Sequence, residues 1–267
     1  MKHYNPNMDG SRILLGGHRG DKTNYPENTM SAFRSSLEMG IDAIETDVRM
    51  TRDGVLVLIH DRDVVRTTDG EGFVDEMTLE ELRRLDAGSW KGEEFAGERI
   101  PTVVELLELV KDSQMIINWE LKEYPVDHGD ARAFETVDRL MELLEQYGMV
   151  ERSMLNSFSD RLLEYAEGKW GDRIVLHGYL HYKSPKDHAQ CEMTDILDWA
   201  AIWNKTEECS VGFDADYEEL NAHGILPCIL VEDREEEYRK ALDKGCRMFT
   251  SNDPAKAQRI LRALGAI

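Results

Sequence analysis

The sequence predicts an α/β fold, a closed parallel TIM (β/α)8 barrel with an extra return strand after its second strand. Short apolar, β-branched segments alternate with amphipathic helical segments along the chain, as in parallel strands joined by crossover helices. A length of 267 residues is usual for one such barrel. The alternative, an open doubly wound sheet, is disfavoured because no strand precedes a glycine-rich nucleotide-binding turn.

Eight barrel strands and most of their helices can be placed in order. Gly40 and Gly148 end two of the helices, and Pro101 precedes a third. Asp53-Gly54 is a hairpin turn, and so short a turn joins only antiparallel neighbours. The segment after this turn is therefore the return strand. The predicted barrel strands are 13–16, 43–50, 115–121, 153–157, 174–179, 200–203, 226–231 and 248–251, the return strand is 55–59, and the helices are 28–38, 102–110, 131–147, 160–167, 215–222, 235–244 and 254–264.

The chain is predicted to form a single domain over residues 1–267, with a small insertion at about 61–100. The insertion is charged and glycine-rich, and 78–85 is its one predicted helix. The sequence has no apolar run of 18 residues and no apolar stretch near its start that resembles a secretory signal. We therefore expect a cytoplasmic protein without stable membrane association.

Charge and cysteine spacing exclude some functions. The formal net charge of −21 repels nucleic acid, anionic membranes and also a phosphate substrate. A phosphate-binding site in this chain therefore needs local cations. The cysteines form no CxxC pair, which disfavours a zinc site and favours reduced core residues; they are Cys191, Cys209, Cys228 and Cys246.

Acidic residues cluster at predicted strand ends. Glu45 and Asp47 lie two apart on one strand and so point to the same face, and Glu120 and Lys122 repeat this arrangement. Buried carboxylates without a partner repel each other and lose hydration, which costs several kcal/mol each by order of magnitude. Three carboxylates favour one hard divalent cation, Mg²⁺ or Ca²⁺. The alternative is that Glu45 and Asp47 pair with Arg49 or a lysine.

Histidines and cations are predicted at the same rim. His18 and Arg19 end the first strand, and His60 ends the return strand. Two histidines can act as general base and general acid because imidazole titrates near neutrality. Arg19 and Lys122 can bind non-bridging phosphate oxygens. Together these groups suit phosphoryl chemistry.

The motifs resemble those of the glycerophosphodiester phosphodiesterases, a family related to the phosphatidylinositol-specific phospholipase C barrels. The resemblance covers most of the first half and is looser afterwards. The matching stretches are G-G-H-R-G at 16–20, P-E-N-T-M-S-A-F at 26–33, I-E-T-D-V-R-M-T-R-D-G at 44–54, V-L-I-H-D at 57–61, R-T-T-D-G-E-G at 66–72, I-P-T at 100–102, W-E-L-K at 119–122, N-S-F-S at 156–159 and S-N-D-P at 251–254.

The resemblance implies that Glu45, Asp47 and Glu120 bind one divalent metal and that His18 and His60 are the acid–base pair. Arg19 and Lys122 would contact the phosphate. The implied reaction is hydrolysis of a small glycerophosphodiester to glycerol 3-phosphate and an alcohol. Two alternatives stay open: a phospholipase-like lyase that releases a cyclic phosphate, and a non-catalytic barrel that binds a phosphate ligand.

One departure from the family pattern concerns the leaving alcohol. The family usually carries a tryptophan on the seventh barrel strand, whereas this chain reads Cys228-Ile229-Leu230-Val231-Glu232. An aromatic wall of the pocket is therefore expected to be missing, with Glu232 adding negative charge near the alcohol side.

Aromatic residues and further histidines are assigned less specific roles. Phe158 and Tyr179 are candidate pocket residues, and Tyr182 is a candidate substrate contact. Because Trp119 points away from Glu120, it should pack against helices. Core packing is predicted for Trp199 and Trp203. His177, His181 and His188 lie on or after the predicted strand 174–179, in a segment predicted to form a rim loop. Ordinary loop histidines are favoured there over a metal cluster, because their spacing matches no compact helical motif.

Overall fold

The computed structural model describes residues 8–182, 187–202, 211–230 and 233–267. Strands and helices alternate through this part of the chain. The strands are β1 (Leu14–His18), β2 (Ala43–Met50), β3 (Leu56–Leu58), β4 (Ile116–Leu121), β5 (Ser153–Asn156), β6 (Val175–Leu180), β7 (Trp199–Ile202), β8 (Leu226–Leu230) and β9 (Met248–Ser251). The helices are α1 (Met30–Met39), α2 (Leu79–Leu82), α3 (Val103–Val110), α4 (Pro125–His128), α5 (Asp130–Gln146), α6 (Asp160–Trp170), α7 (Asp214–His223), α8 (Glu235–Asp243) and α9 (Pro254–Ala263).

Eight parallel strands close into a barrel. Their order is β1-β9-β8-β7-β6-β5-β4-β2, and β1 pairs with β2 to complete the ring. The predicted TIM barrel is confirmed. Because all eight strands run the same way, their carboxyl ends form one mouth, where barrels of this class place their active sites.

The return strand β3 lies outside the closed ring. It pairs antiparallel with residues 48–50 of β2, whereas β1 pairs only with residues 43–45. The carboxyl end of β2 therefore has a free edge, which β3 occupies. Its continuation donates a hydrogen bond from Ile59 N to Asp47 O at 3.1 Å, which places His60 beside the end of β2.

Apolar residues form one layer between the strands and helices and another inside the barrel. Trp119 is fully buried in the outer layer, where its Nε1 donates to Ser153 Oγ at 3.0 Å, as predicted. Trp199 is buried in the inner layer with Met8, Leu14 and Cys228, as predicted for a core aromatic. A third, smaller cluster around Val64, Val74 and Leu82 lies within and beside the segment 61–100.

Most predicted element bounds agree with the structure to within three residues. The short helix α4, which begins at Pro125, was not predicted. The prediction for His177 was wrong, because this residue is a fully buried member of β6 and not part of a loop. Trp203, Cys209, Val231 and Glu232 lie outside the described residues. Among the described residues, no helix has both the length and the apolar character required to span a bilayer.

Candidate active site

Three buried carboxylates meet at the mouth of the barrel. Glu45 and Asp47 on β2 and Glu120 on β4 each place an oxygen within 4.8 Å of the others. Strand register explains the convergence, because Asp47 pairs with Glu120 on the adjacent strand and the side chains two apart on β2 share a face. Side chains from distant segments are thereby brought together inside the barrel.

The carboxylates have acceptor capacity that the described residues do not use. Glu45 Oε1 and Asp47 Oδ1 are buried and accept no hydrogen bond from the described part of the chain, although Asp47 Oδ1 lies 3.3 Å from Lys122 Nζ. Burial and the neighbouring charges of Asp47 and Glu120 raise the pKa of Glu45 well above its usual value. These carboxylates repel each other and have lone pairs that no hydrogen bond from the described residues uses. A hard divalent cation would relieve the repulsion and take up those lone pairs.

Arg19 contacts the acids through both its backbone and its side chain. Its φ of 57° is an uncommon, strained conformation for a residue with a Cβ. In this conformation its backbone N–H donates to Glu45 Oε2 at 3.0 Å, while Nε lies 3.2 Å from Asp47 Oδ2. Gly20 follows with φ 80°, and a Cβ there would lie 2.9 Å from Ala32, so this tight loop requires glycine.

Lys122 is the second cation among the acids. Its Nζ forms an ion pair with Glu120 and is only slightly exposed. Burial opposes its charge, but Glu120 and Asp47 more than compensate and raise the pKa of Lys122 above its ordinary value. Arg49 does not pair with Glu45 or Asp47, since its guanidinium donates to the carbonyl oxygens of His60 and Lys122 at 2.9 and 3.2 Å. It fixes the backbone of both.

His18 is held at the rim by an asparagine from the opposite end of the chain. Its Nδ1 lies 2.7 Å from Asn252 Oδ1 and 3.4 Å from Lys22 Nζ. The shorter contact requires a proton on Nδ1, since an amide oxygen can only accept. Its Nε2 lies 3.8 Å from Glu45 Oε2. Burial, followed by the charges of Arg19 and Lys22, lowers the pKa of His18 to about 3. The neutral ring therefore directs an unprotonated Nε2 toward the site.

His60 has the same arrangement with a charged partner. Its Nδ1 donates to Asp61 Oδ1 at 2.6 Å. In the neutral ring the single proton is therefore on Nδ1, and Nε2 is unprotonated. Its side chain is 32% exposed, so this ring is the more accessible of the two. Burial lowers the pKa of His60, and the charge of Asp47 opposes that shift.

Aromatic side chains form one wall of a cleft of about 500 Å³ beside His60 and Lys122. Phe158 stacks on Tyr179 with ring centroids 3.6 Å apart, and Tyr182 meets Phe158 edge-on at 4.8 Å. Lys122 Nζ lies 5.8 Å from the centre of the Phe158 ring. Tyr179 is buried and accepts from Asn156 Nδ2 at 3.1 Å, so Phe158 and Tyr182 are the more accessible faces.

Four further polar residues support the site, although sequence reasoning gave them no role. Asn28 donates to Asp47 Oδ2 at 2.8 Å and accepts from Thr46 Oγ1 at 2.8 Å. Glu27 and Arg66 contact each other, and Asn252 binds His18. Each lies inside one of the quoted motif stretches, which was the available signal. Their contacts join segments far apart in sequence, so no local spacing pattern reveals them.

The three histidines of the segment 177–188 lie in different environments. His177 lies inside the barrel, 3.0 Å from Asn118 Nδ2 and 3.1 Å from Cys228 Sγ. His181 is a loop residue whose Nε2 lies 2.9 Å from Asp216 Oδ1, and His188 is an exposed loop residue. Within the described ranges, the group of potential metal ligands contains none of these histidines.

The strand β8 contains part of the stretch where the family pattern would place a tryptophan. Cys228 and Leu230 pack with the cluster inside the barrel, whereas Ile229 belongs to the outer layer. The described part of the departing stretch, residues 228–230, thus presents a thiol and an aliphatic side chain to the interior where an aromatic one was expected from the family pattern.

Comparison with known proteins gives a consistent family match. The sequence model of the glycerophosphoryl diester phosphodiesterase family matches residues 18–211. A glycerophosphodiester phosphodiesterase of Caldanaerobacter subterraneus subsp. tengcongensis is 46% identical over 148 residues, which cover 55% of this chain and 59% of that protein. One of Bacillus subtilis is 39% identical over 264 residues, which cover 92% and 86%.

A solved structure extends the match to three dimensions. An Oleispira antarctica phosphodiesterase in complex with its product sn-glycerol-3-phosphate has a TM-score of 0.80 and 28% identity, covering 93% of this chain and 96% of that one. The alignments with three curated relatives span only 56% to 60% of the length of those proteins.

Proposed function

The chain belongs to the glycerophosphoryl diester phosphodiesterase family, and from this premise we propose that it hydrolyses a small glycerophosphodiester to glycerol 3-phosphate and an alcohol. The observation that carries the proposal is the meeting of three acids, two histidines and two cations at one mouth of the barrel. The relative solved with sn-glycerol-3-phosphate supports this substrate class.

We propose Glu45, Asp47 and Glu120 as ligands of one divalent ion, Mg²⁺ or Ca²⁺. Their mutual proximity and the unused oxygens of Glu45 and Asp47 support this assignment. A bound divalent ion supplies positive charge against the negative charge that develops on phosphate oxygens. Asn28 holds Asp47 Oδ2 and so limits the directions in which Asp47 can present its other oxygen.

Arg19 and Lys122 are proposed to bind the non-bridging oxygens of the phosphodiester. Both are strongly buried and lie beside the acids, so water competes weakly for their charge. Arg19 is also fixed by Glu27 Oε1, 2.7 Å from its NH1. Phe158 and Tyr182, which line the cleft, would cover the apolar face of the glycerol or alcohol group, with Tyr179 stacked behind Phe158.

His18 and His60 are proposed to transfer the protons. Each ring has its Nδ1 hydrogen donated to a fixed oxygen, on Asn252 and Asp61 respectively, so each neutral ring presents Nε2 as the atom that accepts or returns a proton. One ring, neutral, would accept the proton of the attacking group at Nε2. The other would enter the step as the imidazolium, with a proton on each nitrogen, donate its Nε2 proton to the leaving alcohol and so become neutral. The pairing of both Nδ1 atoms favours an enzyme over a phosphate-binding barrel.

The test is turnover of glycerophosphocholine, glycerophosphoethanolamine and glycerophosphoglycerol, followed by phosphorus NMR, with wild type beside His18→Ala and Glu45→Ala. We expect activity that chelator abolishes and Mg²⁺ or Ca²⁺ restores. We expect each substitution to lower kcat by at least about 100-fold, His18→Ala through loss of a general acid or base and Glu45→Ala through loss of a proposed metal ligand. His223→Ala and Glu38→Ala, both at exposed positions, serve as matched controls.

Each outcome addresses a separate part of the proposal. Equal turnover by His18→Ala and wild type would contradict the acid–base assignment. Activity that survives prolonged dialysis against chelator would contradict the metal assignment. Accumulation of a cyclic phosphate resonance would replace hydrolysis by the lyase reaction, and no turnover of any diester, with phosphate ligands still bound, would identify a binding protein.

A further inference from the structure

A continuous chain of hydrogen-bonded ion pairs joins Arg19 to His60 around the rim of the site. Arg19 NH1 donates to Glu27 Oε1 at 2.7 Å, and Arg66 NH2 and NH1 donate to the two oxygens of Glu27 at 2.8 and 3.1 Å. Arg66 Nε donates to Asp61 Oδ2 at 2.5 Å, and Asp61 Oδ1 accepts from His60 Nδ1 at 2.6 Å. Arg66 is the central link.

Positive and negative side chains alternate along this series of ion pairs, so each charge is stabilised by its neighbours. Glu27 is 8% exposed, and burial alone would raise its pKa, but the hydrogen bonds and charges of Arg66 and Arg19 prevail and lower the pKa of Glu27 to about 2. The hydrogen bond from Arg66 likewise helps to lower the pKa of Asp61 against the effect of burial. Both carboxylates therefore stay charged and keep their geometry.

We propose that Arg66 is a positioning residue that sets the orientation of Arg19 and His60 together. This inference rests on the proposed function. It means that Arg66, from the segment 61–100, aligns Arg19, the proposed phosphate-binding residue, with His60, one of the two proposed proton-transfer residues. Arg66 acts on the site through Glu27 and Asp61, the two carboxylates to which it donates hydrogen bonds.

The chemistry of the link requires a guanidinium. Three nitrogens of Arg66 serve three carboxylate oxygens on two residues, and the planar fork of arginine meets this geometry, whereas the single ammonium of lysine does not. Asp61 is 26% exposed, so without Arg66 solvent can compete for its carboxylate. The Nδ1 proton of His60 would then lose its fixed acceptor.

The experiment compares Arg66→Ala and Arg66→Lys with wild type in the metal-loaded full chain. We expect both to lower kcat/KM by about 10- to 100-fold, the range found when groups that orient a site's ligands are removed, with little recovery by lysine. Glu27→Gln and Asp61→Asn, combined with Arg66→Ala, should each give losses smaller than the product of the single losses. Arg84→Ala is the matched control, because Arg84 lies in the same segment and pairs with Glu80 at the surface.

A second readout does not depend on turnover. Nitrogen-15 NMR of the His60 ring should show the Nδ1–H tautomer in wild type and a shift toward Nε2–H in both Arg66 variants and in Asp61→Asn. If wild type hydrolyses no diester, the proposed function fails, while the tautomer still reports whether Arg66 orients His60.

Other results would overturn the positioning role. Unchanged kcat/KM in Arg66→Ala, or an unchanged His60 tautomer, would each do so. Full recovery by Arg66→Lys would show that a point charge is sufficient. A loss of activity explained by a lower melting temperature or weaker metal binding, with the tautomer preserved, would assign Arg66 a merely structural role.

Discussion

Two residues with positive φ, Arg19 and Asn28, hold the carboxylate of Asp47 in place. Arg19 and Asn28 both have positive φ, at 57° and 55°, and Asn28 N donates to Arg19 O at 3.1 Å. Asparagine tolerates this conformation better than arginine, so the strain is concentrated at Arg19. Both side chains then reach the same oxygen of Asp47, so the strained backbone at Arg19 helps to orient that carboxylate.

The acid cluster predicts opposite effects of one substitution on metal-free and metal-bound protein. Glu45→Gln removes a buried charge that burial, Asp47 and Glu120 disfavour, so we expect the chelator-treated variant to unfold at a temperature equal to or above that of chelator-treated wild type. Addition of Mg²⁺ or Ca²⁺ should raise the melting temperature of wild type but not of the variant, because one ligand is lost. Calorimetry with and without metal measures both.

Glu38→Gln, at an exposed position on α1, is the control for that experiment and should retain the metal-induced increase. A clear destabilisation of metal-free Glu45→Gln would mean that the carboxylate contributes more through Arg19 N than it costs through repulsion.

Sequence reasoning identified residues that lie together at the candidate site, but not the interactions between them. The spacing of Glu45 and Asp47, and of Glu120 and Lys122, predicts shared faces because side chains alternate along a strand. The αL conformation of Arg19 and the contacts of Asn28, Arg66 and Asn252 depend on segments that meet only in the folded barrel. His177 was misassigned because a histidine in an apolar strand gives no sign of its polar partners across the barrel.

At the scale of elements, a buried polar group connects three strands inside the barrel. Asn118 on β4, His177 on β6 and Cys228 on β8 form a line of contacts of 3.0 and 3.1 Å. A neutral imidazole has one donor and one acceptor nitrogen, so His177 can satisfy both neighbours without a charge. Burial lowers the pKa of His177 to about 3, which keeps the ring neutral in the folded protein.

This difference in pKa between states predicts a pH dependence of stability. The unfolded chain binds a proton at His177 below about pH 6.5, whereas the folded chain does so only near pH 3. Stability is therefore fully present above pH 6.5 and is lost as pH falls toward 3. Between pH 7.5 and pH 5 the contribution is about 2 kcal/mol.

Urea denaturation of wild type and His177→Gln at these two pH values measures that contribution. Wild type should lose about 2 kcal/mol more than the variant between pH 7.5 and pH 5, whatever their difference at neutral pH. Equal losses in the two proteins would mean that His177 becomes protonated within the fold, with Asn118 or Cys228 accommodating the charge.

The topology of the elements was predictable for physical reasons. A two-residue turn at Asp53-Gly54 allows only an antiparallel return, and β3 lies where that requirement places it, on the edge of β2 that β1 leaves free. Helix α4 was missed because four residues beginning at Pro125 carry too little periodicity to be distinguished from a turn.

At the scale of the whole molecule, the high negative charge is compatible with the proposed phosphate site because cations are concentrated there. The chain has 53 acidic and 32 basic residues, yet Arg19, Lys22 and Lys122 surround the acids of the site, and Arg49 and Arg62 line the adjoining cleft. Over distances beyond the mouth, the field follows the net charge of −21 and repels an anion. Within the mouth, short-range contacts dominate.

This separation of scales predicts that salt accelerates capture of an anionic substrate. At 10 mM salt the screening length is about 30 Å and at 150 mM about 8 Å, so added salt should weaken the long-range repulsion more than the buried contacts. We expect kcat/KM for glycerophosphoglycerol, which carries net negative charge, to rise by about threefold over this range at saturating metal. Glycerophosphocholine, with no net charge, is the matched substrate and should change little. A kcat/KM for glycerophosphoglycerol that falls with salt would show that the cations of the mouth, rather than the net charge, govern the approach of substrate.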